Sequence, residues 1–406
     1  SSSSSSSTTW HIDQLRLVSQ IRPVSYTGSY SSSSSILEQV WYTGAYGTRL
    51  NMHEDYFGSI LMDRGDRVSI QGDGHPTMAA ALVAFGSNDI YDLVWTMLNK
   101  TNSGCVGCHV IDDGIMAYPV YWTMSVNDWY HASGNVTGLL LLSQDMAHIL
   151  DKAASTFLQP GLNIGWFGWD DRLGNGFCGS CNREAQLSFA ALLVRAHQDY
   201  ATTMKLAGQM DIAQKYSVIA RNLSLTLRRE TDLLEYGLHA GANLINVAGA
   251  TTPAEDDILF STQFNNTVTL CSWSNFNQYW NLQALGNMQT SMGSKMDHAL
   301  AMVRLCWGEQ LRLGRGCFWE LFSPEWNRIL KPTDKAPTRP SYCHPWSSGV
   351  TAWLTRTHLG INQIHHQNNS AYAVMPFVSR QNPSVSGSIH ISSSSSSTPK
   401  GTTMRV

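Results

Sequence analysis

Charge is scarce in this chain. Asp, Glu, Lys and Arg make up 14% of its 406 residues, and the formal net charge is -3. No basic stripe gathers the cations, which argues against nucleic acid as the main partner. Long hydrophobic runs are lacking too. The stretch VTGLLLLSQDMAHIL, from Val136, is broken by polar residues well short of the ~20 that a bilayer requires, so no membrane span is expected. No signal-peptide pattern is visible, and the chain opens on a run of serines, so its true N-terminus is expected upstream.

What is present is apolar residue in quantity. At 43% hydrophobic, the chain can bury a large core in one big domain plus extras. Eight cysteines, an even number, accompany five Asn-X-Ser/Thr triplets, at Asn99, Asn135, Asn222, Asn265 and Asn368. Together with the low charge they point to a secreted, extracellular glycoprotein.

Three serine runs, Ser1–Ser7, Ser31–Ser35 and Ser392–Ser397, have the composition of flexible linker. The middle run sits between two well-patterned stretches, where a linker has no place. It reads as a row of stand-in residues, and no chemistry is drawn from it. From Ile36 to Gly360 the pattern is helical. Segments such as GNVTGLLLLSQDMAHILDKAASTF, NREAQLSFAALLVRAHQDYA and KMDHALAMVRLCWGEQLRLG place apolar residues at i, i+3, i+4 and i+7. Clusters of Gly, Asn and Asp separate them, as in TNSGCVGC and DDRLGNGFCGSCN. Roughly a dozen helices fit, in antiparallel hairpins around one core, which is the pattern of an α/α barrel. After Gly360, AYAVMPFV and SVSGSIHI alternate apolar and polar as strands do. The expected organisation is a lead-in segment over 1–35, a mainly α domain over 36–360 and the start of a truncated β domain over 361–406.

Two carboxylates far apart along the chain carry the chemistry. Asp66 lies in LMDRGDRVSIQGDGHPT and Glu320 in WGEQLRLGRGCFWELF, with tryptophan-rich helical sequence between them. Distant acids gathered among aromatic rings are what acid/base cleavage of a glycosidic bond requires. One protonates the leaving oxygen and the other activates water or attacks the sugar. Spacing alone also allows a plainer reading, in which DRGDR is a solvated loop with surface ion pairs. Glu320 could likewise be an ordinary helix-terminal residue, although CFWELF is otherwise apolar and burying a carboxylate there is costly.

DRGDRVSIQGDGHPT resembles the acidic signature of family 78 glycoside hydrolases, the α-L-rhamnosidases. RPVSYTGSY…ILEQVWYTGAYGTRLNM is similar to the segment leading into their barrel. RLCWGEQLRLGRGCFWE resembles the strip bearing their second catalytic glutamate, and SYCHPWSSGVTAWLTRTHLGI resembles their histidine-bearing closing helix. The likeness runs from about Arg22 to the end in the family's order. It implies an (α/α)6 toroid followed by the opening of a C-terminal β-sandwich domain, and inverting hydrolysis of terminal α-L-rhamnose at the barrel mouth. By position, Asp66 matches the general acid and Glu320 the general base. Asp63 and Asp73 match acids that hold sugar hydroxyls, with Arg67 and Asp170 beside the motifs as further substrate-binding candidates. Trp122 and Trp169 match ring-stacking tryptophans, and His344 the pocket histidine. The sequence departs from the family pattern at Gly65, Ser69 and Ile70. The resemblance calls for no metal and no cofactor, and for a carbohydrate as partner. The alternative is a carbohydrate-binding or structural glycoprotein of an extracellular assembly that has lost turnover.

CVGCH, Cys105 to His109, has the C-x-x-C-H form of a haem attachment site, and with CGSC, Cys178 and Cys181, it could make a four-thiolate zinc site. An oxidising compartment favours disulfides instead, Cys105 or Cys108 to Cys178 or Cys181. Cys317 and Cys343 flank Glu320 and His344, so a bridge there would fix the base against the pocket wall. Cys271 and Cys306 are then left over, and sequence does not settle the connectivity.

Overall fold

The spacing of apolar residues separates helices that face water from helices that do not. In α1 (Ser35–Leu50), Leu37, Val40, Trp41, Ala45 and Thr48 are buried, while Gln39, Tyr42 and Tyr46 face solvent. In α5 (Val136–Phe157) Leu139, Leu142, Met146, Ile149 and Ala153 make the same single stripe. The helix α4 (Ala117–Ser133) differs, for every residue from Ala117 to Asn127 is buried, with Trp129 and Tyr130. A helix apolar all round must be enclosed by others. It ends at Gly134, whose φ of 67° is left-handed and costs a glycine little.

This pattern belongs to a computed structural model that describes residues 11–16, 18, 22–53, 59–60, 67–68, 71–101, 115–157, 183–230, 232–266, 270–271, 274–314, 316–324, 340–366, 369–391 and 402–405. The outer helices are α1, α3 (Asn88–Thr101), α5, α7 (Met210–Glu230), α9 (Pro253–Leu259) and α11 (Met296–Val303). Each is followed by an inner one: α2 (Gln71–Ala84), α4, α6 (Arg183–Leu206), α8 (Leu238–Ile245), α10 (Asn275–Asn287) and α12 (Gly349–Trp353). A 3-10 turn, Pro345–Ser348, leads into α12, and a π turn, Leu354–His358, follows it. The inner helices touch in a closed ring, α2 to α4 to α6 to α8 to α10 to α12 and back to α2. The result is the expected (α/α)6 toroid. No helix among the described residues is long and apolar enough to cross a membrane.

The connections set the ring's polarity. Inner-to-outer turns are short, as at residues 85–87, 134–135 and 207–209, whereas residues 51–70, 102–116, 158–182, 265–274 and 312–344 run from outer to inner helices. The long connections therefore enter at the end where the inner helices begin, and that end is the mouth.

Strands bind the two chain ends. β1 (Ser29–Ser32) pairs antiparallel with β8 (Val385–Ile391), which pairs with β9 (Thr402–Arg405). The middle serine run is thus ordered: Ser31 and Ser32 complete β1, and Ser35 opens α1. Short hairpins are formed by β2 (Ser59–Ile60) with β3 (Arg67–Val68), and by β4 (Gln289–Thr290) with β5 (Gly293–Ser294). β6 (Ile361–His366) pairs with β7 (Asn369–Val374). The strand expected over AYAVMPFV stops at Val374, two residues before Pro376, which has no N–H to give a ladder.

Candidate active site

The first turns of α2 and α4 meet at the mouth. Gly72 makes this close approach feasible, because a Cβ there would stand 2.0 Å from the Tyr118 ring. Next to it, the Tyr118 hydroxyl donates to Asp73 Oδ2 at 2.8 Å. His344 Nε2 lies 3.6 Å from the other oxygen, Asp73 Oδ1. All three residues are buried, at 3%, 0% and 3% exposure for Asp73, Tyr118 and His344. Burial pushes the Tyr118 phenol well above its ordinary pKa, and the adjacent Asp73 charge and hydrogen bond push it further. Tyr118 is therefore a neutral donor that steadies the aspartate.

Glu320 reaches the same group from the opposite side of the sequence. Its charge adds to the upward push on Tyr118, and its side chain is half-buried where the other three are covered. The backbone around it is clamped from both flanks. Trp319 N–H donates to Gln310 Oε1 at 2.9 Å, and Ser347 Oγ donates to the Trp319 carbonyl at 2.6 Å. Glu320 N–H donates to the Ser341 carbonyl at 2.9 Å, and Ser341 N–H returns a bond to Glu320 Oε2 at 2.8 Å. Trp346 Nε1 holds the Glu320 carbonyl at 3.1 Å, and its ring stacks on His344 with centroids 4.2 Å apart. The disulfide Cys317–Cys343 closes this ladder, and Cys271–Cys306 forms a second bridge. Both pairings are those that the sequence left after the two C-x-x-C loops were set aside.

Of the expected site residues, the structure brings Asp73, Glu320 and His344 together. Asp63, Asp66, Trp169 and Asp170 lie outside the described residues, as do Cys105, Cys108, Cys178, Cys181 and Asn368. The segment holding Asp63 and Asp66 is bracketed by β2 and β3, and β2 packs beside the turn Pro345–Ser348. Arg67 is placed only as backbone, in β3. Trp122 falls elsewhere: it is fully buried and its indole donates to the Leu98 carbonyl on α3 at 3.0 Å, which is a core position. Asn99, Asn135, Asn222 and Asn265 all have exposed side chains.

Sequence reasoning missed Tyr118 and Trp346. A tyrosine in MAYPVYWTMS looks like core, and only its place in the first turn of an inner helix, across from Asp73, gives it a polar partner. Below the mouth lies an aromatic layer that was also missed. Trp280 stacks on Tyr121 at 5.0 Å and on His75 at 5.2 Å, with interplanar angles of 15° and 10°. Burial lowers the His75 pKa to about 4, so the ring is neutral. Among the described residues no group of His, Cys, Asp and Glu forms a metal cluster.

No protein-family model and no curated protein sequence matches this chain. Solved structures do match. The GH78 family rhamnosidase of Bacillus sp. GL1 is 18% identical with a TM-score of 0.68, over 91% of this chain and 39% of that one. A rhamnosidase from Klebsiella oxytoca with rhamnose bound is 16% identical with a TM-score of 0.62, over 80% of this chain and 64% of that one. A sialidase shares the fold as well, at 11% identity and a TM-score of 0.67, over 90% of this chain and 37% of that one. This chain therefore spans less than two thirds of the length of each. Likeness at such identity concerns architecture alone, and in architecture this chain has the helical toroid of the family 78 α-L-rhamnosidases.

Proposed function

We propose that this chain is the toroid of an extracellular glycoside hydrolase that removes terminal α-L-rhamnose from glycans or glycosides with inversion. The observation that carries the reading is a clamped, half-exposed Glu320 beside the buried Asp73–Tyr118–His344 group at one mouth. Asp66, in the segment between β2 and β3, is the general acid. It gives its proton to the glycosidic oxygen as the carbon–oxygen bond breaks, and the bonding electrons leave with that oxygen. Glu320 takes a proton from the water that attacks the anomeric carbon from the other face. Inversion needs room for this water, so the two carboxyls stand about 6.5–9.5 Å apart. Asp73 accepts sugar hydroxyls, with Tyr118 and His344 fixing its oxygens. Asp63, Arg67, Trp169 and Asp170 complete the sugar-binding set.

Secretion is supported by two disulfides and by four exposed candidate glycosylation asparagines. We read residues 1–35 as the lead-in, 36–360 as the toroid domain and 361–406 as the start of a β domain. The test is release of nitrophenol from an aryl α-L-rhamnoside by the purified chain, abolished in Asp66→Asn and in Glu320→Gln. Absence of turnover across a panel of aryl glycosides, with sugar binding retained, would instead make the chain a carbohydrate-binding scaffold.

A further inference from the structure

The end of the barrel away from the mouth holds a cavity that the proposed hydrolysis does not use. It has a volume of about 220 Å³, and its wall includes Asn127, Asp128, Arg195, Asp199, Tyr279 and Arg356. Asp128 lies ten residues beyond Tyr118 on α4, roughly 15 Å further along the helix at 1.5 Å per residue. The buried His75–Tyr121–Trp280 layer stands between the two ends. Thr202, which lines the cavity, is exposed, and the Asp199 side chain is 41% exposed, so the space opens to solvent.

The chemistry of this wall is balanced. Arg356 Nη1 pairs with Asp128 Oδ2 at 2.7 Å, and Arg195 Nε with Asp199 Oδ2 at 3.6 Å. Two cations and two carboxylates leave no net charge to select an ion. Donors and acceptors are both present, as a ring of hydroxyls requires, because each hydroxyl both gives and takes a hydrogen bond. An aromatic wall is at hand in Tyr279, with Trp280 lying 5.6 Å beneath the Arg195 guanidinium.

Several of these groups are unsatisfied. Asn127 is 4% exposed, and neither its Oδ1 nor its Nδ2 has a hydrogen-bond partner. Arg195 Nη1 and His131 Nδ1, also on the wall, have none either. A buried amide left in this state has lost its hydration without a replacement partner, which is destabilising. The space is roughly fifteen times the ~15 Å³ that one water needs, far more than a structural water would explain. We infer that the rear cavity binds one neutral monosaccharide unit, its hydroxyls meeting Asn127, Asp128, Arg195 and Arg356, at a site separate from the mouth.

Calorimetric titration of the folded chain with L-rhamnose, D-galactose, D-glucose and D-mannose tests this inference, with sulfate as the ionic control. The Asp73→Asn variant disables the mouth, so the binding it keeps reports the rear. At least one sugar should bind that variant with a millimolar Kd, and sulfate should not compete. Thr202→Trp, placed at the exposed rim, should then weaken the rear binding about tenfold or more, a shift of about 1.4 kcal/mol, and leave hydrolysis at the mouth unchanged. Asn127→Leu should weaken it likewise while raising the unfolding temperature, because an unsatisfied amide gives way to an apolar group of similar size. The inference is overturned if no sugar binds Asp73→Asn, if Thr202→Trp leaves the affinity unchanged, or if sulfate displaces the sugar. A wild-type chain without turnover that still binds sugar sensitive to Thr202→Trp would end the hydrolase reading alone.

Discussion

Replacing Cys317 and Cys343 with serine removes the covalent link across the segment that carries Glu320. The bridge closes a loop of sequence separation 26, and in the chain-entropy model a loop of that size restrains the unfolded chain by about 3.5 kcal/mol. The ladder itself survives the change. Glu320 N–H to Ser341 O, Ser341 N–H to Glu320 Oε2 and His344 N–H to Phe318 O, at 2.9, 2.8 and 2.9 Å, still hold the two segments together. The variant should therefore fold, with a urea midpoint lowered by the equivalent of about 2–4 kcal/mol. What it loses is fixed register, and a displacement of about 1 Å at a catalytic group can cost on the order of 100-fold in rate. Hydrolysis of an aryl α-L-rhamnoside below the unfolding range should show kcat down by about tenfold or more, with KM changed less. The Cys271→Ser/Cys306→Ser pair is the control. Its loop, of separation 35, gives a similar entropic loss of about 4 kcal/mol, yet Cys306 sits in the π turn after α11 and not in the Glu320 ladder. Its stability should fall and its kcat should hold. Equal effects of the two pairs on kcat, or unchanged stability in the first, would refute the reasoning.

Acid should weaken the fold well before its carboxylates titrate. Burial lowers both His75 and His358 to about 4, against about 6.5 in the unfolded chain, so the unfolded state alone takes up protons between those values. Stability is then full above about pH 6.5 and declines as pH falls towards 4, by about 3 kcal/mol for each fully buried ring. Urea midpoints at pH 7 and pH 4.5 measure it, and equal midpoints would contradict it. Tyr118→Phe should keep the fold and cut kcat/KM by about 10- to 100-fold, because Asp73 loses a hydrogen bond worth about 1.5–3 kcal/mol to a charged acceptor. Trp122→Phe should do the reverse. It removes the indole bond to the Leu98 carbonyl and part of a buried side chain's volume, at a cost of about 1–3 kcal/mol in stability, while kcat/KM below the unfolding range stays near that of the unchanged chain. A KM raised by Trp122→Phe would return that tryptophan to the sugar pocket.

The helical toroid was legible because periodicity reports directly on which face is buried. The single stripes of α1 and α5 and the apolar circumference of α4 are visible in the letters. Asp73, Glu320 and His344 were named through the family resemblance, and the structure places them around one tyrosine, Tyr118, and one another. Trp122 and Tyr118 show where this kind of reading fails. Both are aromatic, one helical turn apart on α4, and nothing local says that one turns to Leu98 and the other to Asp73. β1 was hidden for another reason: half of it, Ser31 and Ser32, lies in a serine run that has no side-chain pattern, and its pairing with β8 rests on the backbone ladder with one hydroxyl bond, Ser29 to Ser388. The rear cavity was the least visible. Asp128, Arg195 and Arg356 are each more than sixty residues from the next, and each alone looks like part of a solvated helix face.

The measurement that bears most directly on the proposed chemistry is the anomeric form of the sugar first released. Proton NMR during hydrolysis of an aryl α-L-rhamnoside should show β-L-rhamnose appearing before mutarotation, with no product from Asp66→Asn or Glu320→Gln. α-L-Rhamnose as the first product, or undiminished release by either variant, would contradict an inverting pair formed by Asp66 and Glu320.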